Sequence, residues 1–294
     1  MNRKPERIRE LLAHAESHLV QHGVPNARRN AEWMLCHTLG CSMLELYVES
    51  TAQVDAERLD AYWQRIQRRA GREPLQYILG STEFMSLPFA VRPGVFVPRP
   101  DTEILVEQAE RVLRGLPLHR ALSVLDLCCG SGIIGVSLAQ RVANATVVSI
   151  DVSADATALT SYNAHKNDVS ARVRVVCADA FEFLKLPSTF TAIVCNPPYI
   201  ETGELAGLPR EVREHEPMLA LDGGRDGLDF YRRVIPLLFG HLAPGGVVMF
   251  EIGDTQGAAV IALLREAGFV DGSVTPDLSG RDRVVTAYRE RADG

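Results

Sequence analysis

A short polar motif, Asn196-Pro-Pro-Tyr199, directly follows an apolar run at residues 192–195. The apolar run predicts a buried strand, so the motif is expected at the end of that strand. The two prolines stiffen the turn and remove two N–H donors, which leaves the Asn196 side-chain oxygen and a nearby backbone carbonyl as acceptors. Beside the Tyr199 ring, these acceptors suit a planar NH2 group with two hydrogens to donate and a flat face to stack. A plain proline-rich turn would explain the prolines but not the asparagine and the tyrosine.

A second candidate site is the glycine-containing segment Asp126-Leu-Cys-Cys-Gly-Ser-Gly132. It stands between a predicted strand at residues 121–127 and a predicted helix at residues 133–140. Glycine lets the backbone approach a ligand closely, and the start of a helix leaves free N–H donors. The segment therefore predicts a ligand-binding loop, although such glycine patterns are also typical of plain tight turns.

Two aspartates end the next predicted strands. Asp151 is placed where a carboxylate can accept hydrogen bonds from both hydroxyls of a ribose. It could instead be an acidic residue at a helix N-terminus, a place where Ser153 could act as the cap. Asp179 could accept a hydrogen bond from an adenine amino group, or could cap a short helix at residues 181–184.

These candidate residues need a scaffold, and the apolar pattern predicts one. Strands and helices alternate, with strands at 121–127, 145–150, 173–176, 192–195 and 246–252 and helices at 133–140, 154–165, 228–242 and 260–267. This alternation predicts an α/β fold with a mostly parallel sheet covered on both faces. Two last strands, near 269–275 and 284–288, leave no room for a helix between them and predict an antiparallel edge. Such sheets bind ligands at the carboxyl ends of their strands.

The rest of the chain predicts a helical domain and a linker. Apolar residues recur at helical spacing through residues 1–83, which predicts a small helical bundle. Residues 84–98 contain short strand-like runs, the last at 95–97, and predict a β-hairpin linker. Residues 99–294 form the α/β domain that carries the candidate site.

Composition limits the class of protein. The net charge is −6, whereas a general nucleic-acid binder is usually basic. No run of about 18 apolar residues occurs, and the charged start MNRKPERIRE lacks the apolar region of a signal peptide. The six cysteines form no CxxC pair and no histidine cluster accompanies them, so no zinc site is expected. We expect a cytoplasmic protein with free thiols and no membrane partner.

The motifs together resemble those of a known enzyme class. The glycine segment, a strand-end aspartate and Asn196-Pro-Pro-Tyr199 resemble the class I (Rossmann-like) S-adenosylmethionine-dependent amino-methyltransferases. Further segments resemble the release-factor glutamine N5-methyltransferases within that class: Glu73-Pro-Leu-Gln-Tyr-Ile-Leu-Gly80, Phe84, Val97-Pro-Arg-Pro-Asp-Thr-Glu103, His215-Glu-Pro217, Leu221-Asp-Gly-Gly224, Asp226-Gly227 and Gly280-Arg-Asp-Arg283.

The resemblance implies an activity and a set of partners. It implies S-adenosylmethionine as methyl donor, S-adenosylhomocysteine as product, and class 1 peptide chain release factors as substrates. The glutamine of a Gly-Gly-Gln motif would be methylated on its side-chain nitrogen, and residues 1–83 would recognise the release factor. Neither a metal ion nor a direct nucleic-acid substrate is expected.

The resemblance also implies roles for individual residues. Asn196 and the backbone carbonyl of Pro197 would accept the two substrate N–H bonds, with Pro198 and Tyr199 completing the substrate site and Tyr199 packing on the amide plane. The implied cofactor contacts are Asp126, Cys128, Cys129, Gly130, Ser131, Gly132, Asp151, Asp179, Ala180 and Asn196.

The glycine loop departs from the pattern of the family. The family usually has Gly-x-Gly-x-Gly, whereas here Cys128 stands at the first glycine position and Cys129 follows it. Cys128 must therefore adopt a conformation that an L-residue tolerates, or the loop must shift. A thiol nucleophile is the alternative interpretation of this pair, but no histidine partner is evident for it.

Three other functions stay open at this point. A sister enzyme that methylates a ribosomal protein shares Asn-Pro-Pro-Tyr but differs in the Pro-Arg-Pro-Asp-Thr-Glu segment. A nucleic-acid adenine N6-methyltransferase would present the same donors to the motif, but the acidity of this chain counts against it. A non-catalytic adaptor would be expected to lose Asn196 or Tyr199, and both are present.

Overall fold

The structure is a computed structural model that describes residues 6–116 and 121–291. The helices in these ranges are α1 Ile8–Gln21, α2 Ala27–Leu39, α3 Met43–Val48, α4 Ala56–Ala70, α5 Leu75–Leu79, α6 Glu103–Arg114, α7 Ile133–Arg141, α8 Ala154–Lys166, α9 Ala180–Phe183, α10 Arg210–His215, α11 Asp229–Leu238 and α12 Gly257–Glu266. Short 3-10 helices lie at Pro100–Thr102, Thr202–Gly207, Met218–Ala220 and Phe239–His241.

The strands pair into three sheets within the same ranges. The strands are β1 Glu6–Arg7, β2 Gln53–Val54, β3 Ser81–Phe84, β4 Leu87–Ala90, β5 Leu122–Leu127, β6 Ala145–Asp151, β7 Val173–Cys177, β8 Phe190–Cys195, β9 Leu242–Glu251, β10 Val270–Pro276 and β11 Asp282–Tyr288. Strands β1 and β2 form one small antiparallel ladder, and β3 and β4 form another.

The main sheet has the order β10-β11-β9-β8-β5-β6-β7 over the described residues. Strand β5 pairs in parallel with β6 and β8, and the pairs β6–β7 and β8–β9 are also parallel. Strand β11 runs antiparallel to both β9 and β10. The predicted α/β fold with an antiparallel edge is therefore confirmed. The strand order changes direction at β5 and β8, which is where such sheets bind ligands.

Two apolar cores cover the two faces of this sheet. In β5, Leu122 and Val124 face one core, whereas Leu125 and Leu127 face the other. Helices α6, α7 and α8 contribute to the first core, and α9, α11 and α12 to the second. Because both faces are buried, the parallel strands are almost continuously apolar, as the sequence pattern indicated.

The chain divides into two compact units. The first contains residues 1–80 and 209–215, and the second contains residues 81–208 and 216–294. The first unit has its own apolar core, in which Leu11, Leu35 and Tyr62 are fully buried. Its inserted helix α10 places Glu211 against Arg69 and Arg72, with N–O distances of 2.7 and 2.6 Å. The domain boundaries predicted at residues 83 and 98 stay a prediction.

The predicted hairpin exists, but its strands occupy different residues. It begins at Ser81, and its turn places Met85 and Ser86 at φ +52° and +62°, as the tight turns of hairpins require. The run 95–97, predicted as strand-like, forms no strand. Pro93, Gly94 and Pro98 flank this run, and the Val97 N–H donates to the Glu216 carboxylate (3.1 Å) instead of to a neighbouring strand.

Across residues 6–116 and 121–291, the helices are all too short or too polar to cross a membrane.

Candidate active site

A cavity of about 590 Å³ lies at the carboxyl ends of the parallel strands in the second unit. Its volume falls in the ordinary range for small-molecule sites. The predicted site residues that line it are Cys128, Cys129, Gly130, Ser131, Asp151, Asp179, Ala180, Asn196, Pro197, Pro198 and Tyr199. The glycine segment, the strand-end aspartates and Asn196-Pro-Pro-Tyr199 therefore share one cavity, as their positions in the sequence predicted.

Two predicted cofactor contacts, Asp126 and Gly132, do not line this cavity. Asp126 is fully buried behind the loop, where its Oδ2 accepts hydrogen bonds from the Gly135 N–H and the Ser149 hydroxyl, both at 3.1 Å. Burial raises the pKa of Asp126 to about 7, although the two hydrogen bonds lower it in part. Gly132 has φ +82°, and a Cβ there would lie 2.8 Å from Thr160 Cγ2. Both residues therefore support the conformation of the loop from the side that faces away from the cavity.

The substituted loop position, Cys128, adopts a left-handed conformation with φ +59°. The loop thus has a backbone conformation that glycine adopts easily. Cys128 adopts it at a cost in backbone strain. The neighbouring thiol Cys129 is buried beside the Thr160 hydroxyl (3.4 Å), and burial raises its pKa well above the ordinary value. Burial raises the pKa of Cys195 in the same way. These two buried thiols are therefore poor nucleophiles, because the thiolate is the reactive form.

We expect the Cys128 thiol to be dispensable, because position 128 requires a conformation rather than a sulfur atom. Cys128→Gly should leave cofactor affinity and turnover within about threefold, since glycine adopts positive φ without strain. Cys128→Val places a β-branched side chain at positive φ and should lower the free energy of unfolding by about 1–3 kcal/mol. Chemical denaturation and calorimetric titration measure these effects. A loss of turnover greater than tenfold in Cys128→Gly would instead assign the thiol a chemical role.

Asp151 connects the end of β6 to the glycine loop. Its Oδ2 accepts from the Gly130 N–H and its Oδ1 accepts from the Ser153 N–H, both at 2.9 Å. The cap of α8 is Ser153, whose hydroxyl accepts from the Ala156 N–H at 3.2 Å. Asp151 is therefore not the helix cap. Each carboxylate oxygen can accept more than one hydrogen bond, so Asp151 keeps acceptor capacity on the cavity side.

Asp179 both lines the cavity and caps a helix. Its Oδ1 accepts from the backbone N–H groups of Phe181 (2.7 Å) and Glu182 (3.3 Å) at the start of α9. The capping alternative is thus realised with one carboxylate oxygen. The role of Asp179 toward an adenine stays a prediction.

The Asn196-Pro-Pro-Tyr199 turn is held from behind by hydrogen bonds. Asn196 Nδ2 donates to the Thr102 hydroxyl oxygen (3.3 Å), and the Tyr199 hydroxyl donates to Glu251 Oε1 (3.1 Å). Gln256 Nε2 donates to the Tyr199 carbonyl oxygen (2.9 Å). Burial and the nearby Glu251 carboxylate raise the pKa of Tyr199, so its phenol stays protonated and acts as a donor.

Glycines behind the turn explain another motif of the sequence. A Cβ at Gly223 would lie 2.7 Å from Tyr199 Cα, and a Cβ at Gly227 would lie 2.3 Å from the Tyr199 carbonyl oxygen. The backbone of the turn lies directly against these two positions and leaves no room for a side chain. This explains the glycines in the segments Leu221-Asp-Gly-Gly224 and Asp226-Gly227.

Several lining residues were missed by the sequence reasoning. The segment containing Val95, Phe96 and Pro98 forms part of the wall, and so do Phe230 and Arg233 of α11. The guanidinium of Arg233 lies 3.8 Å from the centre of the Phe181 ring. The sequence did contain a sign that residues 95–98 form no strand. Pro93 and Gly94 precede them and Pro98 ends them, and these residue types argue against a strand. No spacing pattern pointed to α11.

Within the described ranges, no three His, Cys, Asp or Glu side chains are grouped so that they could hold a metal ion.

Comparisons with known proteins match both units of the chain. Residues 10–80 match the family described as PrmC N-terminal domain, and residues 87–210 match the methyltransferase small domain. A protein of Geobacter sulfurreducens named release factor glutamine methyltransferase is 45% identical over 97% of this chain and 98% of that protein. A protein of Moorella thermoacetica with the same name is 42% identical over 96% of this chain and 98% of that protein.

Among solved structures, the fold is similar to that of a 16S rRNA methyltransferase of T. thermophilus (RsmC), in complex with AdoMet and guanosine. The TM-score is 0.51 and the identity 21%, over 71% of this chain and 50% of that chain. This likeness supports the class I methyltransferase fold of the second unit.

Proposed function

The chain belongs to the family of release factor glutamine methyltransferases, and on that premise we propose that it transfers a methyl group from S-adenosylmethionine to a glutamine side-chain nitrogen of a peptide chain release factor. The observation that carries the proposal is the shared cavity. One part of its wall is the glycine loop with Asp151, and another part is Asn196-Pro-Pro-Tyr199. A cofactor and a substrate amide bound to these two parts would meet in the same cavity.

The residues around the loop suit S-adenosylmethionine. The loop approaches the cavity with open space at Gly130, where a Cβ would meet no described atom within 4 Å. Asp151 offers acceptor capacity for ribose hydroxyls, and Asp179 has a carboxylate oxygen that its helix cap does not use. When bound, the cofactor supplies a methyl group that its sulfonium has already activated for displacement.

The turn suits a glutamine amide as the acceptor of the methyl group. An amide nitrogen is a poor nucleophile, because its lone pair is delocalised into the carbonyl. In the proposed arrangement, Asn196 Oδ1 and the Pro197 carbonyl accept the two N–H bonds and orient the nitrogen. As that nitrogen gains positive charge, both hydrogen bonds strengthen, so they stabilise the transition state more than the bound substrate. Tyr199 packs on the amide plane.

The protein partner is part of the proposal. The names of the relatives at 45% and 42% identity support a release factor as the substrate over a ribosomal protein or a nucleic-acid base. We propose that residues 1–83 recognise this partner, because a single glutamine side chain offers too little surface for specificity and the predicted cofactor residues all lie after residue 120.

Mass spectrometry tests the proposed function directly. The enzyme is incubated with labelled S-adenosylmethionine and, separately, a class 1 release factor, a ribosomal protein preparation and duplex DNA. We expect one added methyl group on the Gly-Gly-Gln glutamine of the release factor and none in the other samples. Methylation of DNA adenine, or of the ribosomal protein alone, would contradict the proposal.

We expect Asp151→Ala to weaken cofactor binding about 10- to 100-fold. The variant removes the acceptor for the ribose hydroxyls and the brace on Gly130, and hydrogen bonds to a charged group contribute about 1.5–3 kcal/mol. Calorimetric titration with S-adenosylhomocysteine measures the effect. Asp155→Ala is the matched control, because it removes an equal charge from α8 at a residue outside the cavity wall. Equal affinities of the two variants would refute the role of Asp151.

A further inference from the structure

Asn196 makes a contact that the proposed reaction does not itself require. Its Nδ2 donates to Thr102 Oγ1 at 3.3 Å. Thr102 is fully buried and does not line the cavity, whereas Asn196 does. The two ends of the Asn196 amide therefore differ: the nitrogen end is engaged inside the protein, and the oxygen end is left for the cavity.

The Thr102 hydroxyl is not explained by its place in the fold. Thr102 immediately precedes α6, where a threonine often caps the helix. Among the described residues, however, its side chain accepts no capping hydrogen bond from α6. Its hydroxyl oxygen is instead hydrogen bonded to Asn196 Nδ2.

The direction of this hydrogen bond fixes the orientation of the Asn196 amide. An amide nitrogen only donates, so Thr102 Oγ1 is the acceptor in this contact. Without an acceptor at residue 102, nothing at this place would hold the nitrogen end of the amide.

We propose that Thr102 is a positioning residue that keeps the Asn196 oxygen turned toward the substrate amide. The inference rests on the proposed function. If the Asn196 amide were rotated by half a turn, its NH2 group would face the substrate NH2 group, and two donors would meet without an acceptor. The hydrogen bond from Asn196 to Thr102 disfavours that orientation. It also gives a role to the threonine of the Pro-Arg-Pro-Asp-Thr-Glu segment.

Turnover of Thr102→Val tests the proposal, because valine has nearly the shape of threonine but no hydroxyl. We expect kcat for release-factor methylation to fall about tenfold, as the loss of one orienting hydrogen bond implies. The dissociation constant for S-adenosylhomocysteine should stay within about twofold. Thr102→Ser keeps the hydroxyl and should retain kcat within about twofold.

A double variant separates positioning from a merely structural role. In an Asn196→Ala background, Thr102→Val should change kcat by less than about twofold, because there is no side-chain amide left to orient. A further tenfold loss in that background, or equal defects in the Ser and Val variants, would overturn the proposal. So would a wild-type kcat in Thr102→Val. Absence of methyl transfer by the wild-type enzyme contradicts the proposed function itself, and this inference with it.

Discussion

Asn196→Ala is expected to lower the rate of methyl transfer to a release factor by about 10²–10³. The substitution removes a side-chain acceptor at the cavity wall that is already oriented by Thr102. Because this hydrogen bond tightens as the substrate nitrogen becomes cationic, the loss should affect turnover more than binding. Cofactor affinity should fall only slightly, since Asp151 and the glycine loop are unchanged.

Asn196→Asp is the informative companion variant. It keeps an acceptor toward the substrate, so it should retain more activity than Asn196→Ala. Its second carboxylate oxygen, however, would face Thr102 Oγ1, which accepts from the amide nitrogen in the wild type. Two acceptors then meet, and we expect activity between that of the alanine variant and that of the wild type.

Single-turnover methyl transfer with saturating cofactor gives the measurement, and circular dichroism verifies folding. A rate for Asn196→Ala within about threefold of the wild type would show that Asn196 does not orient the amide. The assignment of the Asn196-Pro-Pro-Tyr199 turn as the substrate site would then have to be abandoned.

The part of the architecture that depends on local pattern could be predicted from the sequence. Apolar runs of strand length alternate with helical stretches, and the short gap between residues 275 and 284 leaves no space for a helix. These features predicted the parallel sheet and its antiparallel edge. The strand-end position of Asn196-Pro-Pro-Tyr199 followed from the apolar run before it, and the structure places it there.

The features that could not be predicted depend on contacts between distant parts of the chain. The run 95–97 has the composition of a strand, but its Val97 N–H is bound by Glu216, more than a hundred residues away. Thr102 and Asn196 meet in the same way, and no spacing relates them. The placement of Asp126 behind the loop depends on Gly135, where a Cβ would lie 2.6 Å from Asp126 Oδ2. Residue types alone show none of these three arrangements.

The backbone behind the turn should be as sensitive as its side chains. Gly227 has φ +70°, and a Cβ there would lie 2.3 Å from both the Tyr199 carbonyl oxygen and Gln256 Nε2. Those two atoms are joined by a hydrogen bond of 2.9 Å, so an added methyl group must break this bond or displace the Tyr199 backbone. A displacement of about 1 Å at a site of this kind can lower turnover about 10²-fold.

We therefore expect Gly227→Ala to lower kcat on the order of 10²-fold, and Gly40→Ala serves as its matched control. Gly40 has the same φ of +70°, and in the described part of the chain a Cβ there would meet nothing within 4 Å. Both variants should lose about 1–2 kcal/mol of stability because an L-residue is strained in the left-handed conformation, and Gly227→Ala should lose more because its Cβ also overlaps the Tyr199 carbonyl oxygen and Gln256. Chemical denaturation measures that shared loss, and single-turnover assays measure methyl transfer. If Gly40→Ala lost as much turnover as Gly227→Ala, lower stability would be the cause. If only Gly227→Ala lost turnover, the cause would be the position of the Tyr199 carbonyl.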